Sequence, residues 1–365
     1  KLKTAMAKVP PIPTTLVLAE RKIPRETYVF IKGDFTRRGP DVTPDTPAAL
    51  PPLPRDPKFA GLKAAATKAT TPTRLDLARW LVNPANPLTA RVQVNRVWQQ
   101  YFGQGIVATE NDFGTQGIPP THPALLDWLA LEFMNPSGVG AAKPWSLKNL
   151  HRLIVTSATY RQSSRTRSDL EEKDPTNRLL ARQNRLRLDA EIIRDVALTA
   201  SGRLNPTIGG PSVFPPQPDG VMTLGQSRRE WKPSDGPDRY RRGVYTFFWR
   251  ATPHPALAVF DAPDAFSACT RRLRSNTPLQ ALTLLNDAAF LELARALAER
   301  VVREAPAPDR LDRAFRLCLA RAPKVAERES LETLLAAELR EGDDKSAWVT
   351  VARVLLNLDE TITRE

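Results

Sequence analysis

The 365-residue chain has little of what most catalytic templates require. It holds two cysteines and three histidines. Cys269 and Cys318 allow one disulfide at most, and no CxxCH haem attachment, CxxC redox pair or zinc knuckle occurs. His122, His151 and His254 lie far apart and none belongs to an HExxH-like cluster, which argues against a histidine metal site. There is no G-x-S-x-G elbow and no glycine-rich phosphate loop before a Lys-Ser/Thr pair, so the serine-hydrolase and NTPase templates fail. No apolar run approaches the roughly 18 residues that span a bilayer. The chain opens on Lys1-Leu2-Lys3, without an initiator methionine or the residue order of a signal peptide, and is expected to start inside a longer precursor or to be a processed piece.

Basic charge and proline are abundant. Thirty-nine arginines and 14 lysines face 40 acidic residues, a net +13. The excess is +8 in residues 1–150 and +7 in 151–250, whereas 251–365 carry −2. Arginine's planar fork suits carboxylate, sulfate and phosphate, so an anionic ligand fits; the plainer reading is a solvated, salt-bridged exterior, with pairs such as Arg187 and Glu191 at helical spacing. Of 34 prolines, 13 fall in residues 1–84 and 11 in 206–278, so both stretches are expected to be irregular. The first offers two short strands, 15–19 and 27–32, then a proline-studded strap over 40–57 and a linker over 61–71.

Helical periodicity begins at Thr73, which forms a capping arrangement with Asp76; Asn86-Pro87 opens a second helix to Phe102. Further helices are expected over 123–134 (Leu125, Trp128, Leu129 and Phe133 inward), 146–157 and 189–201. Residues 243–250 have strand composition. Thr277, Pro278 and Gln280 then launch one long helix to about Arg303, with Leu279, Leu282, Leu285, Phe290, Leu293, Leu297 and Val301 inward, and three more helices follow. The expected fold is mainly α with a small β component, an irregular, multi-lobed helical protein with proline-rich extended segments. Its organisation reads as a strap (1–71), a helical domain (72–203), a loop-and-strand insertion (204–275) and an acidic helical module (276–365).

The densest polar constellation lies in 239–286. Arg241, Arg242, Arg250, Arg271, Arg272 and Asn276 are the candidate ligand-binding residues, an anion being gathered at the N-terminus of the Thr277 helix. His254 and Asp261 are the candidate catalytic pair, His254 as the one group there titrating near neutral pH. Capping explains Asn276, Thr277 and Gln280 equally well, and pairing with Asp235, Asp238, Asp261 and Asp264 explains the arginines. Cys269, beside Arg271 and Arg272, and Cys318, in an apolar run, are read as structural thiols.

The runs Thr73-Arg74-Leu75-Asp76-Leu77-Ala78-Arg79-Trp80-Leu81, Asn86-Pro87-Leu88-Thr89-Ala90-Arg91-Val92, Val94-Asn95-Arg96-Val97-Trp98, Asp112-Phe113-Gly114, His122-Pro123, Ser157-Ala158-Thr159-Tyr160-Arg161-Gln162-Ser163, Phe260-Asp261-Ala262-Pro263 and Asn276-Thr277-Pro278-Leu279-Gln280-Ala281-Leu282 together resemble the planctomycete-type PSD domain, a domain of unknown function. The resemblance covers nearly the whole chain from about Arg25. It implies the C-terminal part of a large exported protein, periplasmic or extracellular, often with a cytochrome c domain; it implies no reaction and no catalytic residues. Any haem c would belong to a neighbouring domain, since this chain has no haem motif, and no cofactor or metal is expected here. The expected role is a noncatalytic binding or scaffold domain that docks on the preceding domain and on an anionic polysaccharide. The alternative is an enzyme domain acting on an acidic or carbohydrate substrate, with electrons passed to a tethered haem. Nucleic-acid binding rests on net charge alone, with no recognised motif.

Overall fold

The computed structural model describes residues 14–19, 25–53, 72–137, 142–224 and 230–364. The linker over 61–71 and the last prolines of the strap, Pro54 and Pro57, lie outside them. The described residues are mainly helical, with two small two-stranded sheets. Two compact units emerge, one of residues 1–93 and 127–145, the other of 94–126 and 146–365, and they cut across the four consecutive segments expected from composition.

In the first unit, β1 (Tyr28–Phe30) pairs antiparallel with β2 (Arg38–Asp41). Their connection turns at Gly33, whose φ of 78° suits glycine, and is held by the Asp34 carboxylate, which accepts from the Thr36 hydroxyl and N–H. The strand expected over 15–19 does not form: those residues are exposed and without regular secondary structure, and among the described residues no strand pairs with them. Helix α1 (Arg74–Leu81) opens with the expected capping box, Thr73 N–H donating to Asp76 (2.8 Å) and Asp76 N–H to Thr73 Oγ1 (3.3 Å). Its buried Trp80 donates its indole N–H to the Pro51 carbonyl at 2.6 Å, which fastens the proline-rich segment to the helix.

Two helices bridge the sequence between the units. In α2 (Thr89–Phe102) the first N–H groups are met by Asn86 Oδ1. In α3 (Pro123–Met134) the buried stripe is Leu126, Leu129, Ala130 and Phe133; Trp128, expected inward, is 49% exposed, because the apolar face is rotated from the one read off the sequence.

In the second unit, α4 (Leu147–Thr156), capped by Ser146, and α5 (Ala190–Ala200) follow the expected bounds. The strand expected over 243–250 is absent. Gly243–Tyr245 makes a 3-10 turn, and the strand-like pairing beside it amounts, among the described residues, to single parallel bridges such as Val213 to Thr246. Gly243 must be glycine there, since a Cβ would stand 2.5 Å from the Glu191 carbonyl oxygen. After the short α6 (Pro255–Val259), the helix expected to run unbroken from Thr277 is two: α7 (Pro278–Asn286) and α8 (Ala288–Glu304). Asp287 between them is extended (φ −65°, ψ 134°) and caps α8 by accepting from Ala289 N–H at 2.9 Å. The break resets the buried face: Phe290, Leu293, Leu297 and Val301 are inward as expected, while Leu279 and Leu282 are exposed and Gln280 and Leu284 are buried.

Helices α9 (Arg310–Leu319), α10 (Val325–Glu341), α11 (Asp344–Asn357) and α12 (Asp359–Ile362) complete the chain. One apolar core joins α5, α6 and α7 to α11, through Ile193, Leu198, Leu257, Leu284, Leu297, Phe315, Val351 and Leu355 among others. The last residues return as β4 (Thr363–Arg364), antiparallel to β3 (Leu186–Arg187), and Leu188 N–H donates to the Ile362 carbonyl.

Candidate functional site

Asp261 is the hub of the polar constellation. It follows the C-terminus of α6 in the left-handed conformation (φ 60°), which Asp tolerates better than most residues. Its carboxylate accepts from Ser275 N–H (2.8 Å), from the Ser275 hydroxyl (2.9 Å) and from the Arg187 guanidinium. Partial burial pushes the carboxyl pKa up, but these Ser275 and Arg187 hydrogen bonds outweigh it and hold the group below its usual range. Arg187 also donates to Gln280 Oε1 (2.6 Å), and Gln280 Nε2 donates to the Val259 carbonyl (2.9 Å), so β3, the end of α6 and the start of α7 are laced together. Arg187 therefore pairs with Asp261 and not with Glu191, its neighbour at helical spacing; the guanidinium lies on a strand, where that spacing has no meaning.

Glu191 takes Arg272 instead, in a two-pronged pair at 2.6 and 3.1 Å. Desolvation pushes the Glu191 carboxyl up, yet the Arg272 hydrogen bond brings it below its usual value; the same bond raises Arg272. Arg242 donates to Asp195 Oδ2 (3.0 Å), and Gly243 N–H donates to Oδ1 of the same carboxylate (2.6 Å). Arg239 holds Glu292 with two nitrogens, beside the Tyr240 hydroxyl on the same carboxylate. Arg241 is buried, stacks 3.8 Å over the Tyr245 ring and donates to the carbonyls of Thr207, Gly209 and Pro211, so its fork clasps a loop of the chain itself. Arg250 is exposed, 5.7 Å over the Phe266 ring, and Arg271 and Asn276 are exposed. The candidate ligand residues thus lie in separate local networks.

His254 departs from expectation most. It is 4% exposed, at the N-terminal end of α6, with Nε2 bonded to the Pro216 carbonyl at 3.0 Å and its ring 5.6 Å from that of Trp231. Burial lowers its pKa to about 4, so the ring is neutral at neutral pH and does not titrate there. Asp261 sits past the other end of the same helix. The free Cys318 thiol is half-buried against the core and pushed up to about 12 by desolvation, in keeping with a packing role, whereas the free Cys269 is exposed. Among the described residues no group of three or more His, Cys, Asp or Glu side chains could hold a metal ion, and no helix is long and apolar enough to cross a membrane.

A cleft of about 230 Å³ adjoins this network, lined by Tyr101, His151, Arg187, Asp189, Arg274 and Arg364 among others. Tyr101 lies in the last turn of α2, His151 stands on α4, Asp189 precedes α5, and the β3–β4 pairing brings Arg364 to the site. The Tyr101 hydroxyl lies 2.9 Å from His151 Nδ1. Arg364 donates to the Tyr101 carbonyl in the last turn of α2, where a cation suits the helix dipole, and its guanidinium lies 6.0 Å over the Tyr101 ring. Arg274 donates to the Arg187 carbonyl (3.0 Å) and approaches Asp189 at 3.5 Å. Burial lowers the Arg274 pKa, and the charges of Arg364, Arg187 and Arg272 add to that while Asp189 opposes it. Sequence reasoning missed this cleft because its walls come from five separated stretches; no local motif marks them.

A family model described as "PSD1: Protein of unknown function (DUF1553)" matches residues 73–335. No curated protein and no solved structure matches the chain.

Proposed function

This chain belongs to the PSD1 family of proteins of unknown function, and from that premise we propose a noncatalytic binding or scaffold module of an exported, cytochrome-linked protein, with an anionic polysaccharide as ligand. The observation that carries this reading is the use made of the titratable groups in 239–286. His254 is neutral and bonded to a backbone carbonyl, while Asp261, at the opposite end of α6, is engaged by Arg187 and Ser275. A proton-transfer pair needs both groups within reach of the same reacting atoms. The excess positive charge of residues 1–250 supports an anionic partner. The motif runs that resemble the planctomycete domain support the exported setting and docking on a preceding domain.

The test is retention of the full chain on immobilised heparin and polygalacturonate in rising salt. Retention at low salt that falls steeply with salt is expected, because each neutralised anionic group releases counterions. Absence of retention at low salt overturns the polysaccharide reading. One observation favours the second reading, an enzyme acting on an acidic carbohydrate: the Tyr101–His151 hydrogen bond at the cleft. New reducing ends from polygalacturonate, lost in Tyr101→Phe, would favour it; no turnover is expected.

A further inference from the structure

Four guanidinium groups gather around β3 and β4, those of Arg187, Arg272, Arg274 and Arg364, together with three carboxylates, Asp189, Glu191 and Asp261. Arg187 is committed to Asp261 and Arg272 to Glu191, while Asp189 is shared, 3.5 Å from Arg274 and 3.8 Å from Arg272. Among the described residues Arg364 meets the carbonyl oxygens of Gln100 and Tyr101 and no carboxylate. Counted over the described residues, the cluster has one positive charge in excess, and Arg187, Arg274 and Arg364 all line the same cleft.

We propose that this cleft binds the oxyanion group of a single acidic sugar ring, a uronate carboxylate or a sulfate ester, between Arg274 and Arg364. The inference rests on the anionic-polysaccharide reading above and gives it a location and a ligand unit. Size sets the first limit: about 230 Å³ is below the roughly 300 to 1,000 Å³ of sites for drug-sized ligands, so one ring fits and a long oligomer does not. The walls set the second. Tyr101, Leu188 and Ile192 offer apolar surface to the C–H face of a sugar, and Asp189 accepts from hydroxyls. Asp189 also repels a second negative charge, which disfavours a polyphosphate or a nucleic-acid backbone and favours a singly charged unit. The excess charge sets the third, since one monoanion balances the cluster. Arginine forks supply paired N–H donors that match either oxyanion.

The experiment is calorimetric titration of the full chain with D-galacturonate, D-galactose 6-sulfate and neutral D-galactose. At least one anionic sugar is expected to bind at least about tenfold more tightly than galactose, the difference of roughly one charge-assisted contact; which of the two binds decides between carboxylate and sulfate. Arg274→Gln is expected to weaken that binding by about tenfold or more, and Arg340→Gln, on the exposed last turn of α10, to leave it unchanged. Arg274→Lys, which keeps the charge and loses the fork, serves if the Gln variant fails to fold, with a smaller loss expected. Equal binding of galactose and the anionic sugars, or an Arg340→Gln loss as large as that of Arg274→Gln, overturns the proposal. Retention on polygalacturonate without uptake of either anionic monosaccharide overturns the cleft alone and leaves the polysaccharide reading standing. Uptake of a monosaccharide without polymer retention does the reverse.

Discussion

Desolvation of the His254 ring lowers its pKa to about 4, against 6.5 for an unburied imidazole. The fold therefore favours the neutral ring, and between those values the unfolded chain binds more protons than the folded one. The resulting stability is complete above about pH 6.5 and is lost as pH falls through about 4, amounting to about 3 kcal/mol at this depth of burial. Thermal denaturation is expected to show a falling Tm from about pH 7 to pH 4.5. His254→Gln, which has no such titration, should show a smaller fall over the same window, and an equal fall would mean that carboxylates alone set the acid limit. The residue types at 254 and 261 were visible in the sequence, but their charge states were not. Protonation depends on the wall around a ring, here Trp231 and the Pro216 carbonyl, both distant in the chain.

Capping chemistry made most helices legible. Thr73 and Ser146 carry side chains whose partners lie three residues away, and Thr277 N–H donates to Gln280 Oε1, again three residues on, so local sequence is enough. Asp287 is the exception, since leucine periodicity runs through it from Leu279 to Val301 and hides the cap. Its carboxyl is pushed up by burial, with the N–H groups of Ala289 and Phe290 and the charge of Arg194 acting against that. Asp287→Ala is expected to cost about 1 to 2 kcal/mol, read as a lower midpoint in urea with an unchanged slope. A gain in stability would show that the helix prefers to run straight through. At 243–250 the aromatic and β-branched composition pointed to a strand. The segment instead packs its rings on one another and on Phe214, with Phe247 5.6 Å from Trp249 and 4.9 Å from Phe214, and with single backbone bridges in place of a ladder. Strand propensity describes fit to a pleated surface, and no sheet is there to receive it.

At the scale of the second unit, the chain's end closes its own middle. Thr363–Arg364 pairs with Leu186–Arg187, Arg321 is held between Glu327 and Glu360, and the Thr361 hydroxyl donates to the Leu355 carbonyl. Truncation after Asn357 is expected to lower unfolding free energy by about 3 kcal/mol or more, from several hydrogen bonds at about 1 kcal/mol each. Denaturant unfolding that leaves the midpoint unchanged would show that the tail is dispensable. Residues 276–365 read as a module of their own because their net charge is negative, yet α5 and α6 share their apolar core. Charge sign reports on surfaces, whereas a core is assembled from buried faces whatever lies on the outside.

The sequence by itself determined the helical class, the bounds of most of the longer helices, the irregularity of the described proline-rich segments and the family. Each of these is written in short-range chemistry: a 3.6-residue apolar period, a cap within one turn, a ring that fixes φ, or motif runs in order. Tertiary structure alone decided which carboxylate each arginine holds, that His254 is neutral, and that Arg187, Arg274 and Arg364 line one cleft with Tyr101. Those outcomes depend on distances of a few ångströms between residues up to 263 positions apart, and electrostatics and desolvation act through such distances, not along the chain.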